Sequence, residues 1–335
     1  MTINLALLGA GRIGRVHAEA VSHNRNARLV AVADANEQAA RALATEHGAS
    51  LRRIDDIAGA DDIDAVLICT PTSTHADLIE LFARAGKAIF CEKPIDLDVG
   101  RVRACLDVVA QTGAQLMVGF NRRFDPHFAA LKRTIAEGRI GDVEMLTITS
   151  RDPGLPPADY VRVSGGIFRD MTIHDFDMAR FLLGEEITSV MATASVLVDA
   201  QMADLGDYDS ANVLLTTASG RQCVITNSRR AAYGYDQRIE VLGSKGMVQA
   251  ENQRPQDIEI ATAQGFLRPP LHDFFMTRYR AAYAAEIAAF VAMAAGQDAD
   301  VPDGRDGLAA LLLAEAALES TQTGSATAPP DWSIS

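Results

Sequence analysis

Residues 3–14 read Ile3-Asn4-Leu5-Ala6-Leu7-Leu8-Gly9-Ala10-Gly11-Arg12-Ile13-Gly14. A short apolar run of strand character runs straight into the spacing G-x-G-x-x-G, and a helix-like stretch from Ile13 to Ser22 follows. Each glycine answers a geometric need. Gly9 permits the tight turn, Gly11 lets the backbone approach a pyrophosphate, and Gly14 lets helix and strand pack closely. The opening turn of the helix, at Arg12 and Ile13, offers free N–H groups and partial positive charge to phosphates. The same glycines in isolation describe many turns; at the head of a strand–turn–helix unit they describe a dinucleotide site.

Outward from this unit the alternation continues. Strands are expected at Arg28–Ala33, Ala65–Cys69, Ala88–Cys91 and Leu116–Gly119, and helices at Glu37–His47, His75–Ala85 and Val99–Thr112. The strands are apolar throughout rather than alternating, which suits a parallel sheet covered on both faces. Right-handed crossovers then give an α/β fold, an N-terminal Rossmann doubly wound parallel sheet. Near Asn121 the pattern changes. A helix is expected at Phe128–Glu137, and strands follow in close succession at Val143–Thr149, Ser189–Val198, Ala211–Thr217, Arg221–Asn227, Gln237–Leu242 and Gly246–Ala250. Turn signals such as Ala218-Ser219-Gly220 separate them, as in a mainly antiparallel sheet. One helix interrupts at residues 168–184, two more close the chain at 274–295 and 304–320, and a polar tail at 325–335 is expected to be loose. The division expected is residues 1–120 as a dinucleotide-binding domain and 121–335 as an α+β domain for substrate binding and oligomerisation.

Composition narrows the function. The chain has 335 residues, 48% hydrophobic, and a net charge of -13. That charge repels a polyanion, so nucleic acid is not an expected partner. No apolar run reaches the length of a membrane span, and the N-terminus lacks the pattern of a secretory signal. The four cysteines form no CxxC pair. A cytoplasmic protein with buried, reduced thiols is expected.

Asp34 ends the second strand about twenty residues beyond Gly14, where a carboxylate accepts hydrogen bonds from ribose hydroxyls and repels a 2′-phosphate. With Ala35 and Asn36 next and no arginine to bind such a phosphate, NAD is expected rather than NADP. Thr70-Pro71-Thr72-Ser73-Thr74-His75 follows the third long strand at the ligand edge of the sheet. Thr70, Pro71, Thr72 and His75 are cofactor-lining candidates, although hydroxyls there also serve as helix caps. Glu92-Lys93-Pro94 follows the next strand. Glu92 and Lys93 are cofactor neighbours, and Lys93 is placed to donate a hydrogen bond to a substrate hydroxyl; Pro94 fixes the turn. The run Gly165-Gly166-Ile167-Phe168-Arg169-Asp170-Met171-Thr172-Ile173-His174-Asp175-Phe176-Asp177 sets Asp170 and His174 on one helix face. Histidine is the natural base near neutral pH, and a carboxylate beside it orients it. Metal ligation by Asp170, His174 and Asp177 is the alternative, but no HExxH, cysteine cluster or second histidine supports it.

GAGRIG at 9–14, CEKP at 91–94, GFNRRFDP at 119–126, SRDPGLPP at 150–157 and SGGIFRDMTIHDFDMARF at 164–181 together resemble the glucose–fructose oxidoreductase/inositol dehydrogenase family, from residue 3 to about 320. The resemblance is greatest to its bacterial inositol dehydrogenases. It implies a Rossmann domain followed by an open-faced sheet that commonly forms the interface of a homo-oligomer, a tetramer or dimer. It carries the family's catalytic lysine onto Lys93 and its Asp and His onto Asp170 and His174. Arg123, Asp152, Tyr233 and Tyr235 match segments bordering the substrate pocket. The implied reaction is NAD-dependent oxidation of a cyclic polyol, myo-inositol to 2-keto-myo-inositol (scyllo-inosose). Other inositols, an aldose, or a catalytically silent NAD-binding regulator are the alternatives. A silent protein typically loses the lysine or histidine, and this chain keeps both.

Overall fold

The computed structural model describes residues 2–330. The first third of the chain runs β1 (Ile3–Leu8), α1 (Arg12–Ser22), β2 (Ala27–Ala33), α2 (Glu37–Glu46), β3 (Ser50–Leu51), α3 (Ile54–Ala58), β4 (Ala65–Ile68), α4 (His75–Arg84), β5 (Ala88–Glu92), α5 (Val99–Thr112) and β6 (Leu116–Gly119). The six strands are parallel in the order β3-β2-β1-β4-β5-β6. The strand order reverses between β1 and β4, so their carboxyl ends border the crevice where this class of sheet binds ligands. Leu5, Leu7, Leu8, Val66, Leu67 and Ile68 are fully buried. Each contributes about 1.5–3 kcal/mol of transfer free energy, which is why these strands carry no polar alternation.

The chain continues through α6 (Pro126–Ala136), β7 (Val143–Arg151), α7 (Ala158–Ser164), a π-helical turn at Phe168–Thr172, α8 (Ile173–Leu183), β8 (Ile187–Ser195), α9 (Gln201–Asp204), β9 (Ser210–Thr217), β10 (Gln222–Ser228), β11 (Asp236–Gly243) and β12 (Gly246–Ala250). A hairpin, β13 (Ile260–Thr262) and β14 (Gly265–Leu267), and helices α10 (Phe275–Arg278), α11 (Arg280–Ala294) and α12 (Gly304–Thr323) complete it. The second sheet has the order β12-β11-β7-β10-β9-β8, antiparallel except for β7 against β10. Its strands alternate. Leu146, Ile148, Val213, Leu215, Cys223, Ile225, Ile239 and Val241 are buried on one face, while Met145, Leu214, Val224, Leu242 and Met247 remain exposed.

Packing divides the chain differently from the expected break at residue 120. One compact unit comprises residues 2–125 and 280–311, the other residues 126–279 and 312–330. The reason is the apolar character of α11. Its Tyr283, Ile287 and Phe290 are buried, and the Tyr283 ring stands edge-on to His17 of α1 at 5.4 Å between centroids. Gly304 and Gly307 let the start of α12 press against Leu106 and Ile95, where a Cβ would come within 2.2 and 2.9 Å. The expected helix at 274–295 is split into α10 and α11. In the tail, Thr327 is not loose: it exchanges two 2.9 Å backbone hydrogen bonds with Val190. Residues 331–335 lie outside the described residues. No helix among those described is long and apolar enough to cross a membrane. All four cysteines are free and buried; burial pushes the Cys69, Cys91 and Cys223 thiols well up and that of Cys105 to about 12.

Candidate functional site

The first unit carries the nucleotide site. Gly9 has φ +98°, and a Cβ there would meet the Cys69 carbonyl oxygen at 2.4 Å. A Cβ at Gly14 would fall 1.9 Å from the Gly9 carbonyl oxygen, so close packing of helix and turn excludes any side chain. Gly11 is different in kind. Its φ of -71° suits any residue, and nothing of the protein lies within 4 Å of its absent Cβ. It also caps α1 without a side-chain hydrogen bond, leaving the first N–H groups of the helix to a ligand. The open space at Gly11 beside an uncapped helix start fits a bound pyrophosphate.

Asp34 braces this turn. Its Oδ2 accepts from Ala10 N at 2.6 Å and its Oδ1 from Asn36 N at 2.7 Å. A carboxylate has about four lone-pair sites, so two acceptor positions stay available for ribose hydroxyls. After β4, Thr70 and Thr74 share a hydroxyl hydrogen bond of 2.7 Å, and Thr74 donates to the Pro71 carbonyl at 2.8 Å. His75, expected to line the cofactor, is buried instead. Its two ring nitrogens each lie 2.8 Å from a backbone carbonyl oxygen, of Pro94 and of Thr70. It ties the threonine loop to the turn after β5.

Lys93 is half-buried at that turn and precedes Pro94 through a cis peptide bond. Glu92, one residue earlier, turns inward, and His17 Nε2 donates to its Oε1 at 2.6 Å. His17 is fully buried, with the Phe90 ring edge-on at 4.8 Å. Glu286 of α11 is also fully buried, and neither of its carboxyl oxygens has a hydrogen-bond partner among the described residues. Burial, and then the charge of Glu92, pushes its carboxyl well above the usual range. Arg123, a candidate pocket residue, pairs with Asp306 at 2.9 Å.

The second unit carries the other candidates. Asp170 lies in the π-helical turn and His174 in the first turn of α8, both half-buried. π-Helical turns are rare and concentrate at functional sites. Tyr160 of α7 donates its hydroxyl to Asp170 Oδ1 at 2.7 Å, a partner that no local sequence pattern marks. Beneath the turn, Thr172 donates to Asn227 Oδ1 at 2.7 Å. Asp175 accepts from Asn227 Nδ2 at 2.8 Å and from Ser150 Oγ at 2.6 Å. This buried network fastens the start of α8 to the ends of β7 and β10.

Asp152 directly follows β7 and donates its N–H to the Ser228 carbonyl at 2.9 Å. Tyr235 is buried, edge-on to Tyr279 at 5.9 Å. Tyr233 is more exposed, and its hydroxyl is committed: it donates to Asp236 Oδ2 at 2.6 Å and accepts from Arg151 at 2.9 Å. Burial and that bond to Asp236 push the phenol up. Among the described residues, no group of three or more His, Cys, Asp and Glu is placed to hold a metal.

Two family models match: "Oxidoreductase family, NAD-binding Rossmann fold" over residues 3–120, and "GFO/IDH/MocA C-terminal domain" over residues 128–249. The chain belongs to the GFO/IDH/MocA oxidoreductase family. Its GFO/IDH/MocA relatives include the inositol 2-dehydrogenase of Rhizobium meliloti (strain 1021), 69% identical over 96% of this chain and 97% of the relative. A myo-inositol dehydrogenase of Corynebacterium glutamicum superposes with a TM-score of 0.95 at 45% identity, covering 99% of this chain and 100% of that one. The scyllo-inositol dehydrogenase of Lactobacillus casei, solved with NAD(H) and scyllo-inositol, superposes with a TM-score of 0.91 at 29% identity, covering 99% and 100%. This GFO/IDH/MocA chain is therefore an oxidoreductase with an NAD-binding Rossmann domain.

Proposed function

We propose that this chain oxidises one ring hydroxyl of an inositol, converting myo-inositol to 2-keto-myo-inositol with NAD. The observation that carries the reading is the 69% identity, over nearly the whole length of both chains, to a protein named inositol 2-dehydrogenase.

NAD is held by Gly9, Gly11 and Gly14, the N–H groups opening α1, and Asp34; when bound it supplies the hydride acceptor. His174 takes the hydroxyl proton as general base. Lys93 donates a hydrogen bond to a substrate hydroxyl, a contact that stabilises developing negative charge. Asp170 orients His174 and supports the positive charge it gains. Arg123, Asp152 and Tyr235 hold the remaining ring hydroxyls, which fixes the reacting carbon in place. Tyr233 serves the substrate less directly, through Asp236 and Arg151.

Lys93→Met and His174→Asn should each lower kcat by about 10²–10⁴-fold while leaving NAD affinity intact, read by titrating nucleotide fluorescence. Undiminished turnover in either variant rejects the assignment. The partner proposed besides the polyol is a second copy of this chain, a dimer or tetramer formed on the exposed sheet face. We place the enzyme in the cytoplasm, where its unpaired thiols stay reduced.

A further inference from the structure

At the end of β10, Arg229 is 1% exposed, a buried cation in the second unit. Its Nη1 lies 3.5 Å from Asp170 Oδ2 and its Nη2 3.5 Å from Asp207 Oδ2, while its Nε has no partner among the described residues. Asp207 does two things at once. Its Oδ1 accepts from Ile167 N at 2.8 Å, at the entrance to the π-helical turn, and its Oδ2 faces the guanidinium. The fit around it is close: Gly166, at φ +84°, would put a Cβ 2.9 Å from Asp207 Oδ1.

We propose that Arg229, anchored by Asp207, is a positioning residue for the oxidation, holding the Asp170 carboxylate in the one direction that serves His174. The inference rests on the role assigned to Asp170 above. A buried guanidinium between two carboxylates adds little net stability compared with apolar side chains of the same volume. What it does add is direction. Asp170 has one oxygen on Tyr160 and the other facing Arg229, so rotation of the carboxylate breaks a contact on either side. Asp207 holds the backbone of the same turn through Ile167, so side chain and main chain are located from one point.

The test uses the full-length protein with NAD and myo-inositol. Arg229→Ala is expected to lower kcat more than about tenfold with KM for NAD unchanged, and added guanidinium ion at concentrations well below denaturing is expected to restore part of the loss. Asp207→Asn keeps the shape of the anchor and is expected to lower kcat in the same direction by a smaller factor. A structural role alone would reduce the yield of folded protein and would not be rescued by guanidinium. Full turnover in a folded Arg229→Ala variant overturns the inference. If that variant fails to fold, full turnover in Asp207→Asn overturns it instead. Asp170→Asn, run alongside, separates two failures. If Asp170→Asn loses activity and the Arg229 and Asp207 variants do not, only this inference falls. If Asp170→Asn is fully active, the role given to Asp170 falls with it.

Discussion

Three glycines spaced two and three residues apart carry three different physical loads, and substitution separates them. Gly14→Ala forces a Cβ onto the Gly9 carbonyl, an overpacking expected to destabilise the protein by about 1–3 kcal/mol, seen as a lowered Tm without nucleotide. Gly11→Ala meets no protein atom and keeps an allowed φ, so stability should move by no more than about 0.5 kcal/mol. NAD affinity should nevertheless fall by about tenfold or more, or 1.4 kcal/mol, in a binding titration. An equal effect of both variants on Tm would contradict the division of roles. The roles of these glycines were legible in the sequence because turn, ligand approach and packing each demand a residue without a side chain at a known spacing. Tyr160 and Arg229 were not legible. They reach Asp170 from ten and fifty-nine positions away through tertiary contact alone, and nothing in a local pattern marks them. The position of His75 after a strand end suits both a cofactor neighbour and a helix-start histidine, and its ring faces two backbone carbonyls.

Strands β1, β2, β4, β5 and β6 were readable as mostly apolar runs without polar alternation, since both faces of the sheet are covered; the two-residue β3 is too short to leave a pattern. The strands of the second sheet alternate, because only one face is buried; their close spacing and the turn signals between them made them legible. The hairpin β13–β14 escaped because its residues are exposed throughout and carry no burial pattern. A largely apolar helix such as α11 announces burial and not against what. That helix brings a buried carboxyl, Glu286, into the nucleotide unit. Its folded-state pKa is raised by burial above the unfolded value, so between those two pKa values the unfolded chain has released a proton that the folded chain retains. The stability linked to this group is therefore fully present below the unfolded pKa and is lost as pH rises toward the folded one. In Glu286→Gln this loss disappears. The Tm advantage of the variant over the unmodified protein should grow from acidic to neutral pH, as followed by calorimetry. A difference independent of pH would place the proton on the folded protein incorrectly.

At the scale of the molecule, the exposed face of the second sheet presents Met145, Leu214, Val224, Leu242 and Met247 together, a run of apolar side chains across neighbouring strands. Contiguous apolar surface of this kind suits the self-association proposed above. Replacing Leu242 with Glu should reduce the particle mass in sedimentation while leaving NAD binding intact, and an unchanged mass would remove this face from the interface. The catalytic account is tested most directly by following NAD reduction with myo-inositol and with myo-inositol carrying deuterium on carbon 2. The account expects nucleotide reduction with both, slower for the deuterated ring because the bond to that hydrogen breaks, and 2-keto-myo-inositol as product. No nucleotide reduction, or a product oxidised at another carbon, would contradict it.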